Sequence, residues 1–595
     1  MPQPVAAMLP TCFGQLQTLS PEELEGADPA LEMAHQRLLE GQAEPALAAA
    51  AAVLRLNPQS PAALVLSTDG FKACGKPVEA LELLRRAAAL RPQSAAFQLL
   101  TGQHLLDLGQ AEEAQLWLER GLALLGPASN AGTQQAPTQL HLLLTERLAQ
   151  ALILCNQLEQ AWSLLAPLAS DHLSLAGLAA DLLLRLNRAS EALPLAEAHV
   201  RYAGTAEAYL LQAGCQFRSG DQAAYAALLR QGAARFPQNG KLTSLAAQAS
   251  FDEADSNTAV QASWELLNSG LQQAGPLPEI RFLEARQLLL DGCFEQGWPA
   301  YEARLRLPNN QLVAPCPEAW SGQNPAGQSV VVVAEQGVGD VLFFARFLPA
   351  LLAEAGTVFL VVEPRLVALL RRSYPQVVVL EQPELARALA GTEALWIPLA
   401  SLPLRYGTTP EAIAATAGVQ LRLQASLQHL WAQHVQRDAD EPVRLGLSLT
   451  AGGSAQEYQQ RKRDVEAALV LEPLQALDVT LIDLQHREAL SHDSNSSLQV
   501  LRFEGITRDL DQLCALISQL DGLITSDQTN AFLGGMLGIP TLALVPPNPH
   551  FMFGRRGPRS VWFDRLHIVR APRWADWHSA KTAYGMALKE LLSGM

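Results

Sequence analysis

Gly41, Gly75 and Gly109, then Ala46, Ala80 and Ala114, then Pro58 and Pro92 recur at one spacing, 34 residues. A period of that length marks a supersecondary unit that cannot bury its apolar face alone and must stack against copies of itself. Each unit reads as two amphipathic helices: glycine closes the first, alanine lets the second pack tightly, and proline ends it. The run ALELLRRAAALRP, from Ala80 to Pro92, shows the pattern most fully. It is strong over residues 30–127 and loosens past the polar stretch GPASNAGTQQAPTQ, with weaker units around Ala161, Ala192, Gly220 to Pro237 and Asp255. The periodic Leu and Ala positions are expected to be packing core, and nothing in this half reads as catalytic.

These repeats resemble the tetratricopeptide repeat family, which implies an α-helical solenoid whose concave face suits an extended peptide or another protein. A different pattern begins at Val330. The segment VVVVAEQGVGDVLFFARF, Val330 to Phe347, predicts a strand buried on both faces, a glycine turn and a helix in succession. Gly337 and Gly339 permit a tight turn and close backbone approach by a ligand. Asp340 then falls where the carboxyl end of a strand meets a helix amino terminus, the ligand crevice of an open α/β sheet. Leu342 occupies the place of the third glycine of a dinucleotide fingerprint, and no Gly-Lys-Ser/Thr follows, so dinucleotide oxidoreductase and P-loop ATPase folds lose their support.

Beyond Phe347 the alternation continues with VFLVV (358–362), VVVL (377–380) and LWIP (395–398). The polar run QRDADEP (436–442) interrupts it, and RLGLSL, VTLIDL, LQVLRF, GLITS and TLALV resume it with helices between. Two such βα sets predict two doubly wound, Rossmann-like lobes facing each other across a cleft, the general layout of GT-B glycosyltransferases. The expected organisation is an N-terminal segment (1–29), helical repeats (30–310), a connector (311–328), a first lobe (329–435) and a second lobe (443–595).

Composition bounds the partners. A formal net charge of −16 over 595 residues argues against general nucleic-acid binding. Seven scattered cysteines with no Cys-x-x-Cys pair suggest neither a disulfide framework nor a zinc site. No Asp-x-Asp and no His/Cys cluster lies in a convincing metal site. The amino terminus lacks a basic n-region, and the apolar runs are broken well before about twenty residues, so a cytoplasmic protein without stable membrane insertion is expected.

The order of motifs sharpens the resemblance. DGCFEQGWPAYEARLRL (291–307) is followed by Trp320 and Gly322, by Ala334 to Asp340, by the Ala-Arg-Phe-Leu-Pro helix at Ala345 to Pro349, and later by ITSDQTNAFLGGMLGIP (524–540). This series resembles bacterial tetratricopeptide proteins that carry a C-terminal glycosyltransferase domain, akin to heptosyltransferases and more distantly to O-GlcNAc transferases. The resemblance spans roughly residues 291–595. It implies an inverting transferase whose donor is a nucleotide sugar, used as substrate with no other cofactor, and whose protein or peptide acceptor is recruited by the repeats. It also implies that Asp340 is the catalytic base.

The residues suit that chemistry. A diphosphate leaving group fits the exposed N–H groups of a helix amino terminus, and Ser526, Asp527, Gln528 and Thr529 lie at such a strand-to-helix junction. Arg461, Lys462 and Arg463 are candidates to neutralise phosphate charge across the cleft, alongside the Gly337 and Gly339 turn, or else form a solvated helix start. Gly534 and Gly535 would let the following helix approach the sheet closely. Asp340 is the candidate to take the acceptor proton, or else stabilises its helix amino terminus, and Glu335 is the second choice. Two positions depart from the family. Phe532 stands where the family has histidine, and AGGSAQEY (451–458) replaces a Gly-Asn-Pro-x-His loop. The alternative is therefore a non-catalytic tetratricopeptide scaffold with a degenerate transferase-like domain. A transferase acting on a lipid-linked or free sugar, with the solenoid used only for self-association, ranks last.

Overall fold

The computed structural model describes residues 11–24, 28–126, 137–308, 310, 312–416, 421–435, 441–450, 463–486, 498–574 and 576–594. The chain divides into two compact units, Met1–Tyr225 and Ala226–Met595.

The first unit is built from helix pairs. Pro29–Leu39, Pro61–Ala73 and Ala95–Asp107 each end at one of the periodic glycines, and Gly41, Gly75 and Gly109 have φ of +81°, +71° and +74°. The left-handed residue lets the chain close each helix with paired backbone bonds. Gly41 N–H donates to Leu38 O and Gln42 N–H to Arg37 O, and the same 6→1 bond recurs from Lys76 to Phe71 and from Gln110 to Leu105. The second helices, Ala43–Leu56, Pro77–Leu90 and Ala111–Leu125, bury Ala46, Ala80 and Ala114 at the seam. The pattern continues where the glycines stop. Asn156 and Asn187 take the left-handed conformation after Gln139–Leu154 and Leu173–Arg185, and Ala161 and Ala192 are again buried. Asparagine reaches this region because its short polar side chain lowers the steric cost. The segment ahead of the repeats also carries structure: helix Cys12–Leu19 is anchored by Asp69, whose carboxylate accepts from Cys12 N–H and Phe13 N–H, both at 2.8 Å.

The second unit contains the helices Gly240–Glu253, Asn257–Ala274, Pro278–Leu290 and Phe294–Tyr301, followed by two parallel sheets. The first sheet comprises β1 (Glu318–Ala319), β2 (Ser329–Val333), β3 (Thr357–Val361), β4 (Val378–Leu380) and β5 (Ala394–Pro398), in the order β1-β5-β2-β3-β4. The second comprises β6 (Val443–Ser448), β7 (Val479–Asp483), β8 (Gln499–Arg502), β9 (Gly522–Ser526), β10 (Thr541–Val545) and β11 (Leu566–Arg570), in the order β11-β10-β9-β6-β7-β8. Every pairing between these strands is parallel. The nine strands read from the sequence are present, and β1 and β11 are additional.

The valine run behaves as a doubly covered strand must. Val330 and Val332 enter a large core with Phe343 and Phe344, whereas Val331 and Val333 pack on the opposite face with Phe359 and Leu385. The fold is thus a helical repeat solenoid followed by two doubly wound lobes, the GT-B layout. One continuous core joins both lobes and the last helices before them. Trp298, 1% exposed, meets Phe551 of the second lobe edge-on at 5.5 Å and Phe344 of the first at 6.1 Å. Its indole N–H donates to Gly407 O at 2.7 Å. Arg346 stacks over Phe343, Trp562 and Phe563, which pins the helix after β2 to the second lobe.

Candidate functional site

Both sheets reverse direction beside their first full strand. The chain runs outward through β2, β3 and β4 and returns to place β5 on the other side of β2, and it runs through β6, β7 and β8 before placing β9 on the other side of β6. Each reversal opens a crevice at the carboxyl ends of the strands, where ligands of such sheets bind. Gly337, Gly339 and Asp340 follow β2, and Ser526 to Thr529 lie at and after the end of β9, so these residues stand at the two crevices, whereas Arg463 follows β6.

In the second lobe, Gln528 bridges the reversal. Its amide nitrogen donates to Ser448 O and Ser448 Oγ, both at 2.7 Å, and to Ser526 Oγ at 3.2 Å. Asn530 Nδ2 adds a bond to the same Ser448 Oγ at 2.9 Å. The Gln528 side chain therefore ties β6 to β9 and does not cap the helix Thr529–Leu537 that follows. Ser526 and Asp527 are buried. The Asp527 carboxylate accepts the backbone N–H of His550 at 2.9 Å. Arg463 Nη1 donates to Asp527 O at 3.3 Å. Arg461 and Lys462, like the loop 451–458, lie outside the described residues. Gly534 allows the helix to lie on its sheet, since a Cβ there would stand 2.2 Å from Thr541 Oγ1.

A cavity of about 400 Å³ opens beside the start of this helix. Leu484, Leu510 and Leu513 line it together with Arg365, Arg463, Thr529 and Asn530. It combines apolar wall with two guanidinium groups and a helix amino terminus, a composition that accepts an anion joined to a flat or apolar body. Arg365, beside it on the first lobe, pairs with Glu363 at 2.8 Å. It was not among the residues expected from the sequence.

In the first lobe, Gly337 precedes helix Val338–Phe344 with φ −66°, so it is not held there by a left-handed backbone. Gly339 is needed for proximity: a Cβ on it would lie 3.1 Å from Thr529 Oγ1 and 3.5 Å from the Phe532 ring. The two helices that bear the predicted base and the predicted phosphate site thus touch across the cleft. Asp340, one residue further, faces His550, with Nε2 of the imidazole 3.5 Å from Oδ1. His550 packs edge-on against Phe532, ring centroids 5.5 Å apart. Nothing near Asp340 in sequence announces this histidine. It lies in VPPNPHF directly after β10, and a histidine past the carboxyl end of a strand was the available signal.

Glu335, the second candidate base, is committed elsewhere. Arg304 donates to its Oε1 from Nη2 at 2.8 Å and from Nε at 3.1 Å, and both side chains are 5% exposed. The same guanidinium reaches Ser401 Oγ at 2.7 Å and Glu302 Oε1 at 2.5 Å. Arg304, from the segment after the last helix pair, therefore ties the end of β2 to the segment after β5. Burial pulls its guanidinium down, and Glu335 and Glu302 together more than restore it, so the group stays charged. Burial pushes the Glu335 carboxyl up against the opposing pull of Arg304. Among the described residues no cluster of three or more His, Cys, Asp or Glu is arranged to hold a metal ion. Among them, too, no helix is long and apolar enough to cross a membrane.

A family profile described as tetratricopeptide repeat matches residues 73–126. Protein FlbA of Caulobacter vibrioides is 25% identical over 340 residues, covering 53% of this chain and 55% of that protein. The chain thus spans about half the length of this curated relative. Among solved structures, E. coli ADP-heptose LPS heptosyltransferase II aligns with 45% of this chain and 99% of its own, at 14% identity and a TM-score of 0.32. A glycosyl transferase family 9 protein from Veillonella parvula covers 45% of this chain and 98% of its own, at 13% identity and a TM-score of 0.32.

Proposed function

We propose that the second unit is an inverting glycosyltransferase acting from a nucleotide-sugar donor, and that the repeats recruit a protein or peptide acceptor. The observation that carries this reading is the meeting of Asp340 with the start of helix Thr529–Leu537 through Gly339. A diphosphate at that helix terminus, with Arg463 at its side and Arg365 opposite, brings the anomeric carbon into the same cleft as a carboxylate. In the transfer, the acceptor hydroxyl oxygen bonds to the anomeric carbon, the bond to the diphosphate oxygen breaks, and the nucleoside diphosphate leaves with the electron pair. Asp340 receives the hydroxyl proton. Donor-dependent hydrolysis and transfer, measured with the full chain against a panel of nucleotide sugars, tests the proposal. Binding and turnover of one donor class is expected; absence of both for every donor overturns it.

One observation favours a scaffold as the second reading. Phe532 fills the position of the family's histidine and packs against Phe343 at 5.7 Å, an apolar contact where a polar one belongs. A scaffold predicts repeats that bind a partner protein and a cleft without turnover.

A further inference from the structure

The loop after β10 carries a histidine that the motifs do not explain, and four sets of bonds fix its place beside Asp340. Asp527 Oδ2 accepts the backbone N–H of His550 at 2.9 Å. Met552 N–H donates to His550 Nδ1 at 3.3 Å. Ahead of the histidine, Asn548 Nδ2 donates to Asp252 Oδ1 at 2.9 Å, a pair in which both residues are 1% exposed. Behind it, Arg555 N–H donates to Leu290 O at 2.8 Å and its side chain reaches Gln287 and Asp291. The loop is therefore clamped by helices Gly240–Glu253 and Pro278–Leu290 on one side and by the end of β9 on the other.

The bond from Met552 decides the state of the ring. A backbone N–H can only donate, so Nδ1 carries a lone pair and the ring proton sits on Nε2. The Nε2 atom lies 3.5 Å from Asp340 Oδ1. Catalytic hydrogen bonds in empty sites are often this long and tighten when substrate closes the cleft.

We propose that His550 is the positioning residue for Asp340: the imidazole donates Nε2–H to Oδ1 and turns Oδ2 toward the acceptor hydroxyl. The inference rests on the transferase reading above. In the transfer step Oδ2 takes the acceptor proton as the anomeric carbon–oxygen bond to diphosphate breaks, while His550 keeps its own proton throughout. It thereby supplies from a different segment the polar contact that Phe532 cannot make. Because the loop is tied to the last helices before the sheets, those helices also set the orientation of the base.

The test compares kcat, donor KM and donor affinity for the full-length wild type and three variants, His550→Phe, His550→Gln and Asp340→Asn, with the double variant His550→Phe/Asp340→Asn. His550→Phe keeps a ring and removes the donor; a fall in kcat of roughly 100-fold with little change in donor KM is expected for a misplaced base. His550→Gln keeps an N–H donor and should recover most of that loss. The double variant should be no slower than Asp340→Asn alone, because His550 acts through Asp340. The inference is overturned if His550→Phe stays within about two-fold of wild type, if Phe and Gln lose equally, or if the losses multiply in the double variant. An inactive wild type, or an Asp340→Asn variant at full rate, instead overturns the transferase reading and with it this inference.

Discussion

Replacing Arg304 with methionine removes the guanidinium that ties Glu335 to Ser401 while keeping a long apolar side chain. Glu335 would then lose both its contacts to Arg304, at 2.8 and 3.1 Å, and remain 5% exposed. Breaking one side of a buried pair in this way costs about 3–5 kcal/mol, chiefly because the remaining charge stays desolvated. The pH dependence has a definite sign. Burial already raises the folded-state carboxyl, and without Arg304 it rises further. A carboxyl raised on folding is favourable when protonated in both states, and that contribution is lost as pH climbs from the unfolded value through the folded one. The variant's deficit should therefore be largest near pH 7 and shrink toward about pH 4–5, near the unfolded glutamate value. Calorimetric or denaturant unfolding of the full chain, with the transition of the α/β unit resolved, measures it. The companion Arg304→Met/Glu335→Gln should recover much of the loss. A deficit below about 1 kcal/mol at pH 7, or one that does not fall on acidification, refutes the role given to this pair.

Three further outcomes are expected. Arg463→Ala should weaken nucleoside-diphosphate binding by roughly 10- to 100-fold in calorimetry, the loss of one charge-assisted contact; unchanged affinity places the diphosphate elsewhere. Gly534→Ala puts a methyl group against Thr541 and should lower the unfolding midpoint by an amount equivalent to about 1–3 kcal/mol, whereas an unchanged midpoint shows that the helix has room to move. Residues 11–225 expressed alone should melt cooperatively as helix, followed by circular dichroism, since their apolar faces close on each other; a non-cooperative melt refutes independence of the first unit.

The local rules were legible where one segment determines its own structure. Four valines bounded by turns specified a doubly covered strand, and the 34-residue glycine period specified the helix ends at Gly41, Gly75 and Gly109. The period faded after residue 127 because the conformation persisted while its residue changed: Asn156 and Asn187 hold the same left-handed turn. β1 went unread because it is two residues long, and β11 because His567 and Arg570 interrupt its apolar run. Asp340 and Thr529 were expected at one site, and their helices do meet. His550 and Arg304 were not foreseen, since each acquires its partner across the fold. His550 meets Asp340 from 210 positions away, and Arg304 reaches Glu335 and Ser401 from a segment that resembled the tail of a repeat. Hydrophobic period and turn chemistry carry no record of such pairings.

The most direct measurement is the transfer rate of Asp340→Asn alongside its donor affinity, in the full-length protein with the donor that supports turnover. The substitution preserves shape and removes the ability to hold a proton, so donor affinity should stay near wild type while the rate falls by roughly two to four orders of magnitude. A rate equal to wild type with affinity preserved would contradict Asp340 as the base at the meeting point of the two lobes.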